Sequence, residues 1–205
     1  MTSYPVLTYG IRNKAVFRGS AIELRANGTT FKLTAPDGGF RVDMSLIGEF
    51  SVYNALAVIA TLFAKGMVTE DIINYLGKIS SVKGRMEQVP TELPITMYID
   101  YAHSPDAIEK AITSVLPYKK NKLIFVIGTG GNRDRVKRPI MAEKASIADY
   151  VVLTTDDPRD EAYETILAEL AVGLKHDNYA CIGDRVEAVR HAISVAEPDD
   201  IVLFA

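Results

Sequence analysis

Three short stretches in the second half of the sequence gather residue types that can hold anions, ammonium groups and sugar hydroxyls. Residues 100–106 read Asp-Tyr-Ala-His-Ser-Pro-Asp and set a carboxylate, Asp100, and an imidazole, His103, just after an apolar run. At the carboxyl end of a strand such an acid can accept two sugar hydroxyls. It can equally satisfy backbone amides of its own loop, and residue types alone favour that plainer role slightly. Residues 128–139 read Gly-Thr-Gly-Gly-Asn-Arg-Asp-Arg-Val-Lys-Arg-Pro. Glycines let backbone amides approach a carboxylate or phosphate, and Arg133 offers a planar fork to the same anion. A solvated charged loop is the competing reading, disfavoured because it needs no three glycines directly after a buried strand. The spacing is neither Gly-x-Gly-x-x-Gly nor Gly-x-x-x-x-Gly-Lys-Ser/Thr, so neither a dinucleotide nor a triphosphate cradle is expected there. Residues 154–159, Thr-Thr-Asp-Asp-Pro-Arg, set Asp156, Asp157 and Arg159 together, a group suited to gripping a zwitterion. A helix start carrying acids explains them as well. No His/Cys cluster has metal-ligand spacing, and His176 and His191 are assigned no chemistry.

The elements that must position these loops alternate strand and helix. Strands are expected at 95–99, 123–127, 150–154, 179–182 and 201–204. Ser104-Pro105 starts a helix with Ile108, Ala111, Ile112 and Val115 on its buried face, and Pro139 opens the next. Ile166, Leu167, Leu170 and Leu174 mark a third helix, and Asp184 caps a fourth carrying Val186, Val189 and Ile193. This order signifies a parallel sheet with crossover helices. Residues 80–94 are rich in breakers and form a linker. Ahead of it, runs at 21–26 and 30–35 flank Asn27-Gly28 as a hairpin, followed by a run at 40–46. Ser51 is expected to cap a helix bearing Ala55, Leu56, Ile59, Leu62 and Phe63, which Gly66 stops, and Thr69 to cap a second opened by Glu70 and Asp71.

The 205 residues are 48% hydrophobic and 24% charged, which excludes disorder and a collagen-like chain. A net charge of −3 gives no support for binding nucleic-acid phosphates. The single cysteine, Cys181, fits a reducing compartment and is expected in the core. No apolar run approaches the ~20 residues of a membrane span, and residues 1–10 lack a charged-then-apolar leader. The protein is therefore expected to be cytoplasmic, without a membrane or nucleic-acid partner.

Read in order, Phe50-Ser-Val-Tyr-Asn-Ala-Leu-Ala, Gly84-Arg-Met-Glu, the 100–107 and 128–139 stretches and Asp156-Asp-Pro-Arg resemble the Mur ligases, most of all members that make the tripeptide. The resemblance implies a Rossmann-like, mostly parallel sheet with helices on both faces over 84–205. Ahead of it, 1–83 would be part of a central ATPase domain, strands then helices. It implies an ATP-dependent acid–amino-acid ligase of peptidoglycan synthesis that adds a diamino acid to UDP-N-acetylmuramoyl-L-alanyl-D-glutamate through an acyl phosphate. Asn54, Arg85, Asp100 and His103 match ATP-binding positions, and Arg133, Asp156, Asp157 and Arg159 match positions that recognise the added amino acid. The family's P-loop, magnesium ligands and UDP-sugar domain would precede residue 1, and a Gly-Lys-Gly-His-Glu loop would follow residue 205. Two guanidinium forks suit meso-diaminopimelate, whereas a buried Arg159 would meet lysine's ammonium, so discrimination of ~10⁴-fold is expected. Asp157 replaces the asparagine of the family's Asp-Asn-Pro-Arg and works against that preference. Cyanophycin- or folylpolyglutamate-synthetase-like ligases share several of these elements. A Mur-ligase-like module without catalysis is the reading from another class, and a nicotinamide dehydrogenase is weakened by the absent Gly-x-Gly-x-x-Gly. Because these residues contain no P-loop, the 205-residue chain alone, given ATP, magnesium, UDP-muramoyl-dipeptide and amino acid, is expected to release no phosphate above a protein-free blank; clear turnover would refute this.

Overall fold

A computed structural model describes residues 6–80 and 82–205, so Ser81 of the breaker-rich stretch and residues 1–5 of the N-terminal segment lie outside the described residues. The chain forms two compact units, residues 1–82 and 83–205.

In the first unit β1 (Tyr9–Gly10) pairs in parallel with β2 (Phe17–Arg25), which continues antiparallel into β3 (Gly28–Ala35) and β4 (Gly38–Met44). The hairpin forms where the alternating runs predict it, but its turn is Ala26-Asn27, because Arg25 pairs with Gly28 and Asn27 does not take positive φ. Gly28 answers a different need. At φ 153° its Cα passes so close to the neighbouring strand that a Cβ would overlap the Met44 carbonyl oxygen. Two helices, α1 (Glu49–Ala64) and α2 (Thr69–Leu76), cover the sheet. Phe17, Phe31, Leu33 and Val42 pack with Val52, Leu56 and Ile59 of α1 and Ile72 of α2.

Both expected side-chain caps are corrected. Ser51 lies inside the first turn of α1, where its hydroxyl donates to Ile47 O at 2.6 Å, and Gly48 is the capping residue. Thr69 is the first residue of α2, not its cap. The acceptor there is Asp37, from the turn between β3 and β4, whose carboxylate takes the Thr69 amide at 3.2 Å and the Thr69 hydroxyl at 2.7 Å. A cap donated from another element leaves no local sequence signature.

The second unit holds a six-stranded sheet in the order β5-β6-β10-β7-β8-β9. Its strands are β5 (Glu87–Val89), β6 (Thr96–Ile99), β7 (Leu123–Thr129), β8 (Tyr150–Thr155), β9 (Tyr179–Cys181) and β10 (Ile201–Phe204), and all pairings are parallel except β5 with β6. The breaker-rich stretch thus contains an edge strand. From β6 the chain moves in one direction through α3 (Pro105–Val115), α4 (Lys137–Ala145) and α5 (Tyr163–Ala171), which pack side by side, then returns through α6 (Arg185–Ser194). Right-handed crossovers place helices reached in opposite directions on opposite faces. Ile124, Val126, Val152, Val202 and Phe204 accordingly pack with Ala188 and Ala192 of α6, while Leu123, Phe125 and Ile127 alternate to the other face.

Local details differ from expectation. α4 opens at Lys137, two residues before Pro139, and Leu174 lies beyond the end of α5. α6 fully buries Ala188 and Ala192 and packs the partly buried Val189 and Ile193 against the same core, whereas Val186, also expected there, is exposed. Cys181 is exposed, because β9 is a three-residue edge strand. Among the described residues no helix is long and apolar enough to cross a membrane. The packing of Gly28 predicts that Gly28→Ala lowers unfolding free energy by about 1–3 kcal/mol, whereas Gly10→Ala, whose Cβ would meet nothing nearer than 4.0 Å, stays near neutral; equal effects in denaturant titrations would contradict it.

Candidate nucleotide and amino-acid site

All three loops singled out by residue type leave the carboxyl ends of parallel strands, where open α/β sheets bind ligands. Asp100 follows β6. Its amide donates to Phe204 O at 2.8 Å, and its carboxylate accepts the amide of Met86 at 2.9 Å and that of Ala102. Burial pushes this carboxyl above its ordinary range, against the pull of the Met86 amide, the Arg85 charge and the Ala102 amide. Gly84 and Met86, at φ 66° and 45°, bend the incoming chain so that the buried Met86 presents that amide. Arg85 between them is exposed, its guanidinium 5.2 Å from the centre of the Tyr101 ring, a cation–π distance. His103 lies edge-on to the same ring at 5.4 Å, with Nδ1 3.0 Å from Tyr101 O. Arg85, Asp100 and His103 therefore converge, with the exposed Tyr101 as a surface the sequence reading missed. Ser104 does cap α3, accepting the Ala107 amide. Asn54 is exposed on α1 of the first unit.

The loop after β7 and the loop after β8 are joined. Gly131 N donates to Asp157 O at 2.8 Å, so close that a Cβ on Gly131 would overlap the Pro158 carbonyl. A Cβ on Gly128 would sit 2.5 Å from the Arg185 guanidinium and 2.6 Å from the Asp156 carboxylate. At these two positions the glycines permit the close approach of one loop to the other. Arg133 is exposed and Arg159 half-exposed. Arg159, at φ 50°, donates its amide to Asp157 Oδ1 at 3.1 Å and holds its Nε 3.9 Å from Oδ2. Asp156 pairs with Arg185 at 2.8 Å, and Arg185 also donates to Ala205 O at 2.7 Å. One carboxylate expected to meet a substrate ammonium is thus already matched by a cation.

Sequence reasoning missed three charged residues of this edge: Arg138, Glu161 and Arg185. Arg138 is fully buried and pairs with Glu161 at 2.8 Å and Glu169 at 2.7 Å. Hydrogen bonding to Arg138 and to the Asn132 amide brings the Glu161 carboxyl down to about 2. A signal existed. Arg138 and Arg185 stand in the first turns of α4 and α6, where the helix dipole disfavours cations, so each needs a compensating acid. His176 Nε2 lies 3.0 Å from Ala148 O and His191 Nε2 2.9 Å from the Tyr150 hydroxyl, both away from these loops.

An exposed guanidinium over an aromatic ring, beside a half-buried carboxylate, fits a phosphate and a ribose. Among the described residues no group of three or more His, Cys, Asp or Glu side chains converges that could hold a metal ion. A mostly parallel six-stranded sheet with crossover helices on both faces, its carboxyl edge carrying paired acids and guanidiniums, defines an open α/β domain. This chain belongs to the Mur ligase family: the middle domain matches residues 1–62 and the "Mur ligase, glutamate ligase domain" matches residues 84–205. It is 45% identical over its whole length to UDP-N-acetylmuramyl-tripeptide synthetase 2 of Oceanobacillus iheyensis, covering 42% of that protein. It is 40% identical over its whole length to UDP-N-acetylmuramoyl-L-alanyl-D-glutamate–L-lysine ligase of Staphylococcus epidermidis, again covering 42%. A solved UDP-N-acetylmuramoyl-L-alanyl-D-glutamate–2,6-diaminopimelate ligase superimposes on 97% of the chain with a TM-score of 0.66 and 32% identity, over 42% of its own length. The chain therefore spans about two-fifths of these relatives.

The double role of Asp100 as an amide acceptor predicts that Asp100→Ala destabilises the protein by about 1–3 kcal/mol, and that Asp100→Asn, which keeps one carbonyl acceptor, recovers part of the loss. An unchanged melting temperature for Asp100→Ala would show that the Met86 and Ala102 amides need no partner.

Proposed function

We propose that residues 1–83 form the distal part of the middle domain and residues 84–205 the C-terminal domain of an ATP-dependent ligase of peptidoglycan synthesis. Its reaction would join a diamino acid to UDP-N-acetylmuramoyl-L-alanyl-D-glutamate. ATP, when bound, supplies the phosphoryl group that turns a carboxylate into an acyl phosphate. The chain's own residues bind and orient. Within the second unit Asp100 accepts ribose hydroxyls with the lone pairs its two amides leave over, Arg85 meets phosphate and His103 borders the nucleotide; in the first unit Asn54 is matched to an ATP-binding position by the family resemblance alone. Arg133 and Arg159 take carboxylates, while Asp156 and Asp157 set the local negative charge. Holding the reactants in place and stabilising charge is the main catalytic contribution open to such residues. Dependence on ATP places the reaction in the cytoplasm.

The observation that carries this reading is the joining of the 128–136 and 156–162 loops, which puts two solvent-facing guanidinium residues on one edge of the sheet. Two forks suit an amino acid with a carboxylate at each end, and meso-diaminopimelate is favoured over L-lysine. A specific observation supports lysine as the second reading: Asp157 already faces Arg159. Exposed pairs of this kind are worth only about 0–1 kcal/mol, so Arg159 remains available. Its half-exposure does weaken the penalty for leaving it unpaired, and the expected discrimination falls from ~10⁴-fold to about 10- to 100-fold, the worth of one charged hydrogen bond. The test is kcat/KM of the complete ligase for both amino acids, with Arg159→Ala expected to remove most of the preference; equal values in the unaltered enzyme, or a preference for lysine, would overturn the two-fork reading.

A further inference from the structure

We infer that Arg138 is a positioning residue for the amino-acid site, whose buried guanidinium braces the loop after β7 against the loop after β8 and so sets the spacing between Arg133 and Arg159. This rests on the reading of those two arginines as carboxylate ligands. Arg138 is fully buried, and a guanidinium taken out of water is tolerated only when its charge and donors are matched. Gly130 lies in the loop after β7, Glu161 in the loop after β8 and Glu169 on α5, so the two Nη atoms link both loops and that helix, while Nε is buried with no hydrogen-bond partner among the described residues. Nη1 donates to Glu161 at 2.8 Å and Glu169 at 2.7 Å, and Nη2 to Glu161 at 3.1 Å and to the Gly130 carbonyl at 3.2 Å. Glu161 in turn accepts the Asn132 amide at 2.6 Å, and the Asn132 side chain donates to Asp160 at 3.0 Å.

The bonded residues 132 and 160 are the chain neighbours of Arg133 and Arg159. Asn132 and Arg159 both hold positive φ, 52° and 50°, a conformation that asparagine takes readily and arginine rarely. Arg138 is thus closed off from solvent, and its partner Glu161 bonds Asn132, which bonds Asp160, the chain neighbours of Arg133 and Arg159. A fixed separation between two guanidiniums selects an amino acid by the distance between its carboxylates, and a loosened brace would accept either length. Misplacement of a binding group by about 1 Å costs up to about 100-fold in rate.

The test uses the complete ligase with Glu161→Ala, Glu161→Gln and Arg138→Lys. Relative to the unaltered enzyme, Glu161→Ala is expected to raise KM for the amino acid about 10-fold or more, with KM for ATP within about 2-fold and the preference between diaminopimelate and lysine reduced. Glu161→Gln, which keeps an acceptor for the Asn132 amide, should recover part of this, and Arg138→Lys, with one donor centre in place of a fork, should resemble Glu161→Ala. Arg133→Ala should cost less in the Glu161→Ala background than alone, because residues acting as a unit are not additive. Equal costs in both backgrounds, or a lowered melting temperature with unchanged kinetic constants, would overturn the proposal. Amide exchange separates the brace from the ligase reading: at Asn132 and Gly131 it should quicken about 10-fold or more in Glu161→Ala while α4 stays protected. Unchanged exchange overturns the brace, whereas faster exchange in an enzyme that uses neither amino acid overturns the functional reading and the spacing role with it.

Discussion

The four residues of β10 hold the sheet of the second unit together. β6 and β7 share no ladder. Thr96 to Ile99 on one side and Leu123 to Val126 on the other all pair with Ile201 to Phe204, so the facing backbone groups of β6 and β7, and both edges of the buried β10, are satisfied only when β10 is inserted. The same insertion orders the carboxyl edge. Phe204 O receives the Asp100 amide, Ala205 N donates to Val126 O, and Ala205 O receives Arg185, which in turn holds Asp156. The candidate nucleotide loop and the third charged loop are therefore referenced to one strand.

Around that frame the charged loops obey a single constraint, that cations near the positive ends of helices must bring their own acids. Arg138 and Arg185 each stand in the first turn of a helix and each is matched, by Glu161 with Glu169 and by Asp156. The matching acids come from the loop after β8 or from the helix that follows it, and that loop is also hydrogen-bonded directly to the glycine-bearing loop after β7. Exposure then sorts the arginines. Arg138 is enclosed among its acids, Arg185 is partly enclosed and pairs with Asp156, and Arg133 and Arg159 face solvent.

Periodicity and composition by themselves determined most of the architecture. Strand and helix alternation over 95–204 predicted the parallel sheet, since a strand buried on both faces must be continuously apolar, and Leu123 to Ile127 is. The strand-end loops were legible for the same reason, because Asp100, Arg133, Asp156 and Arg159 interrupt or follow apolar runs with residues that a core would reject. Ser104 and Asp184 were readable as caps because their acceptors lie three residues from the amides they bind. What only the tertiary structure decided is who partners whom across distance. Asp37 caps a helix that starts 32 residues later, β10 returns to the middle of the sheet, and Arg138 meets Glu161 and Glu169 only when two loops and two helices have packed. In the sequence Arg138 is one more cation in a basic run. Burial gives it a different role, because a charge removed from water is held by the geometry of its partners, and that geometry does not exist until the chain has folded.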